Sequence, residues 1–280
     1  MRIEHITIDN FKKIEHMELR FQKGFNLIIG DNSTGKTSVL EAISVALGGF
    51  LAGIDNIQSV NFSNDEIRRV CSTIGDGSYN IRYATPITVD CTAIIDNTPF
   101  HFVRRKNSAK SSRTTVEPRD ICKTATRMAS DDSSVLPVIS YQSAARMWSQ
   151  KKNKWNDPFG DDYSRVVGYT DCLDESSNTK MLTNWFRKME QIIWQNNKTI
   201  GEYENAKRST AEFIKHMTGS GDARVYYDKR SEELMCMIDD ERLVRRLFSY
   251  ALFNDLISDS IILNLISVHS CLARTCSTTF

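Results

Sequence analysis

The sequence predicts an α/β protein, and three features carry that prediction. An apolar run, Phe25–Ile29, ends in Gly30-Asp31-Asn32-Ser33-Thr34-Gly35-Lys36-Thr37 and opens directly onto a helical pattern. Apolar and polar residues alternate as strands on both sides of it. Two later stretches, Met181–Trp194 and Ile200–Met217, carry amphipathic helical spacing.

In chain order, Ile6 and Ile8 alternate with polar neighbours, and Met17, Leu19 and Phe21 do so again after Asn10-Phe11-Lys12-Lys13. Lys23-Gly24 then turns the chain into Phe25–Ile29, whose continuous apolar end predicts a central buried strand. Val39, Leu40, Ile43, Ala46 and Leu47 share a helical face, which Gly48-Gly49 is expected to end. Residues 50–75 read as helix and loop, with Ser63 or Asn64 capping a short helix over Asp65–Val70. Strands follow at Tyr79–Tyr83, Ile87–Ile95 and Phe100–Val103, the last two joined by a hairpin turn at Asp96-Asn97-Thr98-Pro99. Residues 104–134 are rich in Arg, Lys, Ser, Thr and Asp and read as a surface loop, a short polar helix or a DNA-contacting loop. Val135–Tyr141 predicts a buried strand. Trp148, Trp155, Phe159 and Tyr163 sit in a basic connection, where they either anchor a loop or stack on bases. Thr218-Gly219-Ser220-Gly221 ends the second amphipathic helix, and Arg224–Tyr227 and Leu234–Ile238 predict a strand pair. From Phe248 onward the chain is apolar and serine-rich, without recognisable chemistry.

Composition narrows the function classes. At 280 residues, with 25% charged residues and a net charge of +1, the chain can bury a substantial core and shows no overall pull toward polyanions. Seven scattered cysteines, with no Cys-x-x-Cys, predict a reduced cytoplasmic protein without a disulfide framework or zinc knuckle. The five histidines form no metal signature, and no apolar run approaches a membrane span.

The glycine loop carries the chemistry. Clustered phosphate oxygens need converging amide donors. Gly30 and Gly35 let the backbone wrap closely, and Asp31, Asn32, Ser33, Thr34 and Ser38 complete the loop and the helix start. Lys36 supplies a cation between outer phosphates, and the Thr37 hydroxyl is placed to bind Mg²⁺. Average residue frequencies give this pattern by chance in about one chain of this length in a hundred, so its strand-like and helix-like flanks decide for a phosphate cradle. The dinucleotide alternative fails for want of Gly-x-Gly-x-x-Gly.

Hydrolysis also needs a carboxylate at the end of a buried strand to hold the metal-bound water. Leu234-Met235-Cys236-Met237-Ile238-Asp239-Asp240-Glu241 has that outline, but the preceding Arg224–Tyr227 strand favours a hairpin strand running into an Asp-Asp turn.

Ile3–Glu15, Phe25–Thr37 and the Ser38–Leu47 helix together resemble the start of RecF/SMC-like heads of the ABC-type P-loop ATPases. Val135–Tyr141, Gly168–Asp174 and Asn184–Glu190 resemble a bacterial subgroup of AAA family ATPases associated with retron- and Septu-type anti-phage defence. The resemblance implies an α/β P-loop NTPase of ABC/SMC-like head type with N-terminal antiparallel strands and a helical insertion. It implies ATP and Mg²⁺ as ligands, homodimerisation of the complete head, and DNA and a nuclease or toxin subunit as partners. Lys12 and Lys13 resemble basic residues near the nucleotide in such heads, or form a solvated turn. Gln142 matches the Q-loop, which reaches Mg²⁺ or the attacking water, or is an ordinary polar residue after a strand.

By family order, the Ser-x-Gly signature belongs near residues 249–260, where Ser249–Ser260 lacks the glycine. The expectation is therefore ATP binding with weak or absent turnover, in a head that is C-terminally truncated or frame-altered. The implied organisation is a P-loop ATPase lobe over 1–175, a helical lobe over 176–222, a returning hairpin over 223–247 and an atypical tail over 248–280.

Overall fold

A computed structural model describes residues 1–73, 79–143, 165–174, 179–239 and 245–246. The chain forms two compact units, Met1–Ser130 and Asp131–Phe280.

The first unit is built on a five-stranded antiparallel sheet. Its strands are β1 (Arg2–Phe11), β2 (Ile14–Arg20), β5 (Ile87–Ile95), β6 (Thr98–Lys106) and β7 (Thr115–Glu117), in the order β2-β1-β5-β6-β7. A separate hairpin pairs β3 (Arg69–Thr73) with β4 (Tyr79–Tyr83). Period-two alternation puts Ile6 and Ile8 of β1, Val89, Cys91 and Ala93 of β5, and Phe102 of β6 into one buried layer. Helix α1 (Lys36–Leu51) packs on the sheet with Val39, Ala42, Val45, Ala46 and Phe50 buried, and α2 (Asp120–Ser130) adds Ile121, Cys122, Ala125 and Met128. Asp96 and Asn97 both adopt positive φ, the left-handed turn that a two-residue hairpin requires.

The structure corrects several sequence expectations here. Helix α1 does not stop at Gly48-Gly49 but runs through both to Leu51. Those glycines serve close packing: a Cβ on Gly48 would lie 2.6 Å from the Val60 carbonyl oxygen, and one on Gly49 would lie 2.9 Å from the Phe102 ring. Leu40 is 42% exposed, so the buried face of α1 is rotated away from it. The expected helix over Asp65–Val70 is a turn followed by β3. The Glu66 carboxylate accepts the Ser63 N–H at 2.7 Å, a capping geometry, but Phe11 bridges Ile67 and draws the chain into sheet instead. Within the polar stretch 104–134, α2 is the short polar helix that was one of its readings, and β7 is a strand that was not expected.

The second unit packs α3 (Thr179–Asn196) and α4 (Gly201–Thr218) with a three-stranded antiparallel sheet. That sheet has the order β10-β9-β8, from β8 (Ala223–Asp228), β9 (Glu233–Ile238) and β10 (Arg245–Arg246). Trp185, Phe186 and Tyr203 form its aromatic centre, with ring centroids 5.2–5.8 Å apart. Gly219 closes α4 at φ 69°, as its place after Thr218 predicts. Val135–Tyr141 is not a strand: Leu136, Ile139 and Tyr141 are buried while Val138 is exposed, and no described strand pairs with it. Trp148, Trp155, Phe159, Tyr163 and the tail from Phe248 lie outside the described residues.

Candidate functional site

The site begins at the tight turn between β1 and β2. Asn10 and Lys12 take positive φ there, and the turn is fastened from outside. Lys12 N–H donates to the Glu66 carbonyl at 2.6 Å, and Arg68 N–H donates to the Asn10 carbonyl at 2.9 Å. The turn therefore offers the side chains of Lys12 and Lys13 from a fixed backbone. The Lys12 ammonium bonds the Glu41 carboxylate on α1. Burial raises the Glu66 carboxyl above its ordinary range, opposed by its bond from Ser63 and by the Lys12 charge.

The glycine loop follows. Thr34 Oγ donates to the Asp31 carbonyl at 2.8 Å, closing the loop on itself. A Cβ on Gly30 would lie 2.9 Å from that same Thr34 hydroxyl oxygen, so Gly30 is required by close approach. Gly35 is required by conformation: it caps α1 at φ 98°, while a Cβ there would meet nothing nearer than 4.0 Å. Helix α1 has no side-chain cap and no acidic residue in its first turn, which leaves its positive end uncompensated by side chains. Lys36 Nζ curls back to donate to the carbonyls of Gly30 at 2.7 Å and Asp31 at 2.6 Å.

A pocket of about 390 Å³ gathers Lys12, Lys13, Asn32, Ser33, Gly35, Lys36, Thr37 and Ser38. Three lysines and no acidic residue line it, although the Lys12 ammonium is paired with Glu41, and this balance suits a polyanion. Gly30, Asp31 and Thr34 shape the loop beneath it without lining it. Lys36, the loop amides and the Thr37 hydroxyl together fit a Mg²⁺-bound nucleoside triphosphate: amides and cations for the phosphates, an oxygen ligand for the metal. Sequence reasoning missed Glu41. Its partner Lys12 lies 29 residues away in the chain, so no local pattern signals it.

Two other sequence candidates lie in the second unit. Gln142 is exposed, and its side-chain amide donates to Ser140 Oγ at 3.0 Å. Asp239 ends β9, which pairs antiparallel with β8 as the hairpin alternative required. Its carboxylate accepts the N–H groups of Gly221 at 2.8 Å and Asp222 at 2.9 Å, so it fastens the hairpin. Asp240, Glu241 and Ser249–Ser260 lie outside the described residues.

Comparison with known proteins adds a family to this geometry. Residues 5–232 match the model of the AAA domain family. The DNA replication and repair protein RecF of Nitrosococcus oceani is 39% identical over 71 residues, 25% of this chain and 20% of that protein. The DNA double-strand break repair Rad50 ATPase of Pyrococcus abyssi is 51% identical over 47 residues, 17% and 5% of the two chains. The Retron Vc95 probable ATPase of Vibrio cholerae is 26% identical over 213 residues, 69% of this chain and 38% of that one. The match thus spans less than half the length of each of these relatives. A solved chain from work on SMC ATPases shares 23% identity over 49% of this chain and 87% of that one, at a TM-score of 0.31. Among the described residues no helix is long and apolar enough to cross a membrane. The chain belongs to the AAA domain family, as an α/β P-loop NTPase distantly related to RecF, Rad50 and retron ATPases.

Proposed function

We propose that the loop Gly30–Ser38 binds ATP with Mg²⁺, and that Lys12 and Lys13 add positive charge from the β1–β2 turn. The observation that carries this reading is the single pocket that joins both lysines to the start of α1. Lys36 would exchange the Gly30 and Asp31 carbonyls for the outer phosphates. The amides at the start of α1 would donate to phosphate oxygens, and the Thr37 hydroxyl would ligate the metal. Bound Mg²⁺ supplies charge neutralisation at the phosphates. A role for Gln142 beside Mg²⁺ or the attacking water rests on the family resemblance. It predicts a turnover loss in Gln142→Ala at unchanged ATP affinity.

Calorimetric titration of the chain with a non-hydrolysable ATP analogue and Mg²⁺ tests the site. Replacing Lys36 by Ala removes a charge-assisted phosphate contact and is expected to weaken binding about 10- to 100-fold. Unchanged affinity in a folded Lys36→Ala variant sinks the assignment.

A second reading, a nucleotide sensor without turnover, is favoured by Asp239, whose Oδ1 accepts the Gly221 and Asp222 amides in the hairpin. Magnesium-dependent binding without phosphate release, with DNA present or absent, separates it from an active ATPase. Under either reading we place the chain in anti-phage defence or DNA maintenance, acting with DNA and a nuclease or toxin subunit. The names of the RecF and Rad50 relatives, DNA repair proteins, support the DNA-maintenance part, while the anti-phage setting and the nuclease or toxin subunit rest on the family resemblance alone.

A further inference from the structure

Strand β8 is paired along one edge by β9, and among the described residues its other edge is open. Asp239 N–H donates to the Asp222 carbonyl at 3.0 Å, in line with the β8–β9 register, and that bond sets the alternation of the ladder. Arg224, Tyr226 and Asp228 therefore turn their backbone groups toward β9, and Ala223, Val225 and Tyr227 turn theirs to the open edge. Natural edges are blunted by proline, a bulge, a very short strand, charged side chains or a covering helix, and the last two lie in part beside β8. The six-residue β8, Ala-Arg-Val-Tyr-Tyr-Asp, has no proline and pairs without a register shift.

Helix α4 runs beside β8, and a groove of about 420 Å³ lies between them. Ala211, Ala223 and Val225 give it apolar lining. Its cations are Lys207, Arg208, Lys215 and Arg224, against the two lining carboxylates of Glu204 and Glu212. Among the described residues Lys207 pairs with Glu204 at 3.1 Å and lies over the buried Tyr203 ring at 4.9 Å, Arg208 bonds Asn205 at 2.8 Å, and Lys215 and Arg224 share Asp222 at 3.3 and 3.2 Å. Ion pairs at this exposure are weak, so they can re-pair with an incoming carboxylate.

An open strand edge facing a helix across a partly apolar groove is the geometry of strand addition, in which main-chain bonds give affinity and side-chain pockets give selectivity. We propose that the groove between α4 and the open edge of β8 takes an extended peptide strand bearing acidic side chains. The cations alone would serve a phosphate backbone as well. Only a polypeptide also offers N–H and C=O groups at the repeat of Ala223, Val225 and Tyr227. The site lies in the second unit and stands independently of the nucleotide assignment.

The test uses the full chain and a capped, fluorescent eight-residue peptide alternating valine and glutamate. Saturable binding by anisotropy is expected, about tenfold weaker or worse when lysine replaces glutamate, and likewise in the Lys207→Glu, Arg224→Glu double variant. Val225→Pro, which removes an edge N–H while sparing the β9 ladder, is expected to abolish binding. If that variant misfolds, the double variant decides. By NMR, amide exchange at Ala223, Val225 and Tyr227 should slow on binding while Arg224 and Tyr226 stay unchanged. The proposal is overturned by equal binding of the two peptides, or by full affinity in the double variant. Displacement by oligothymidylate without edge protection would assign the groove to nucleic acid instead. Edge amides already protected in the free chain would assign it to a segment of this same chain.

Discussion

Arg104 and Lys106 carry two charges into the interior from adjacent same-face positions on β6, and both give their donors to neutral acceptors. Arg104 bonds the Val60 carbonyl and, at 2.9 Å, the Asn61 side chain, while Lys106 bonds the Phe62 carbonyl at 3.2 Å and Asn64 at 2.8 Å. Burial pulls the Arg104 guanidinium down to about 10, and its Nε is buried without a partner. Such groups are retained because removing them orphans the carbonyls they hold. Arg104→Ala should cost about 2–4 kcal/mol in urea unfolding, from a lost buried bond set and a cavity. A loss too small to resolve would show that residues 59–64 do not depend on it. Glu66 offers the opposite sign. Its carboxyl is raised by burial, so the folded chain holds that proton more tightly than the unfolded chain does. Its ionisation therefore costs stability at pH above the raised value, and the cost vanishes below the ordinary carboxylate range. Glu66→Gln keeps an acceptor for Ser63 and should raise the melting temperature at pH 7 but not at pH 4. An equal shift at both pH values would refute the burial explanation.

At the scale of elements, α1 shows how a residue type can be read correctly and its purpose wrongly. Gly48 and Gly49 look like a helix stop, yet each lies where another part of the unit comes within a Cβ's reach. The obstacle at Gly48 is the Val60 backbone oxygen at 2.6 Å, itself held by Arg104; at Gly49 it is the Phe102 ring at 2.9 Å. Alanine at either site gains about 1 kcal/mol of helix propensity but forces the neighbour aside. Net losses of about 1–3 kcal/mol are expected, larger for Gly48→Ala because a backbone carbonyl yields less than a ring. Coupling between Gly48→Ala and Arg104→Ala in a double-mutant cycle would confirm that both act on Val60. The β5–β6 and β8–β9 hairpins, α3, α4 and the phosphate loop were legible because their signals are local: turn residues, helical spacing, a fixed glycine pattern. Helix α2 is the short polar helix that residues 104–134 allowed, and Ile121, Cys122, Ala125 and Met128 repeat at helical spacing along it. The tie from Lys12 to Glu41 joins distant segments, and no local pattern announces it.

The whole molecule raises the question of what the run before the phosphate loop is for. Continuous apolar character predicted a buried central strand at Phe25–Ile29. Instead Phe25 is 88%, Leu27 68% and Ile29 83% exposed, and no described strand pairs with the segment. Burial on both faces is a property of neighbours, and a run of apolar residues specifies only that it will accept them. Every strand pair among the described residues is antiparallel, so the parallel layer such a run suits is not among them. Three large exposed apolar side chains in a segment that no described strand pairs with form an adhesive patch. The chain by itself should therefore bind a hydrophobic dye and scatter more light as its concentration rises. Exchanging Phe25, Leu27 and Ile29 for threonine should suppress both signals. Because the three side chains precede Gly30 and do not line the phosphate pocket, the same variant should keep ATP affinity within about threefold of the parent, less than half the free energy of a tenfold change. Unaltered dye binding in the triple variant would mean that the run is covered in solution. A collapse of ATP affinity would instead mean that the run shapes the loop that follows it.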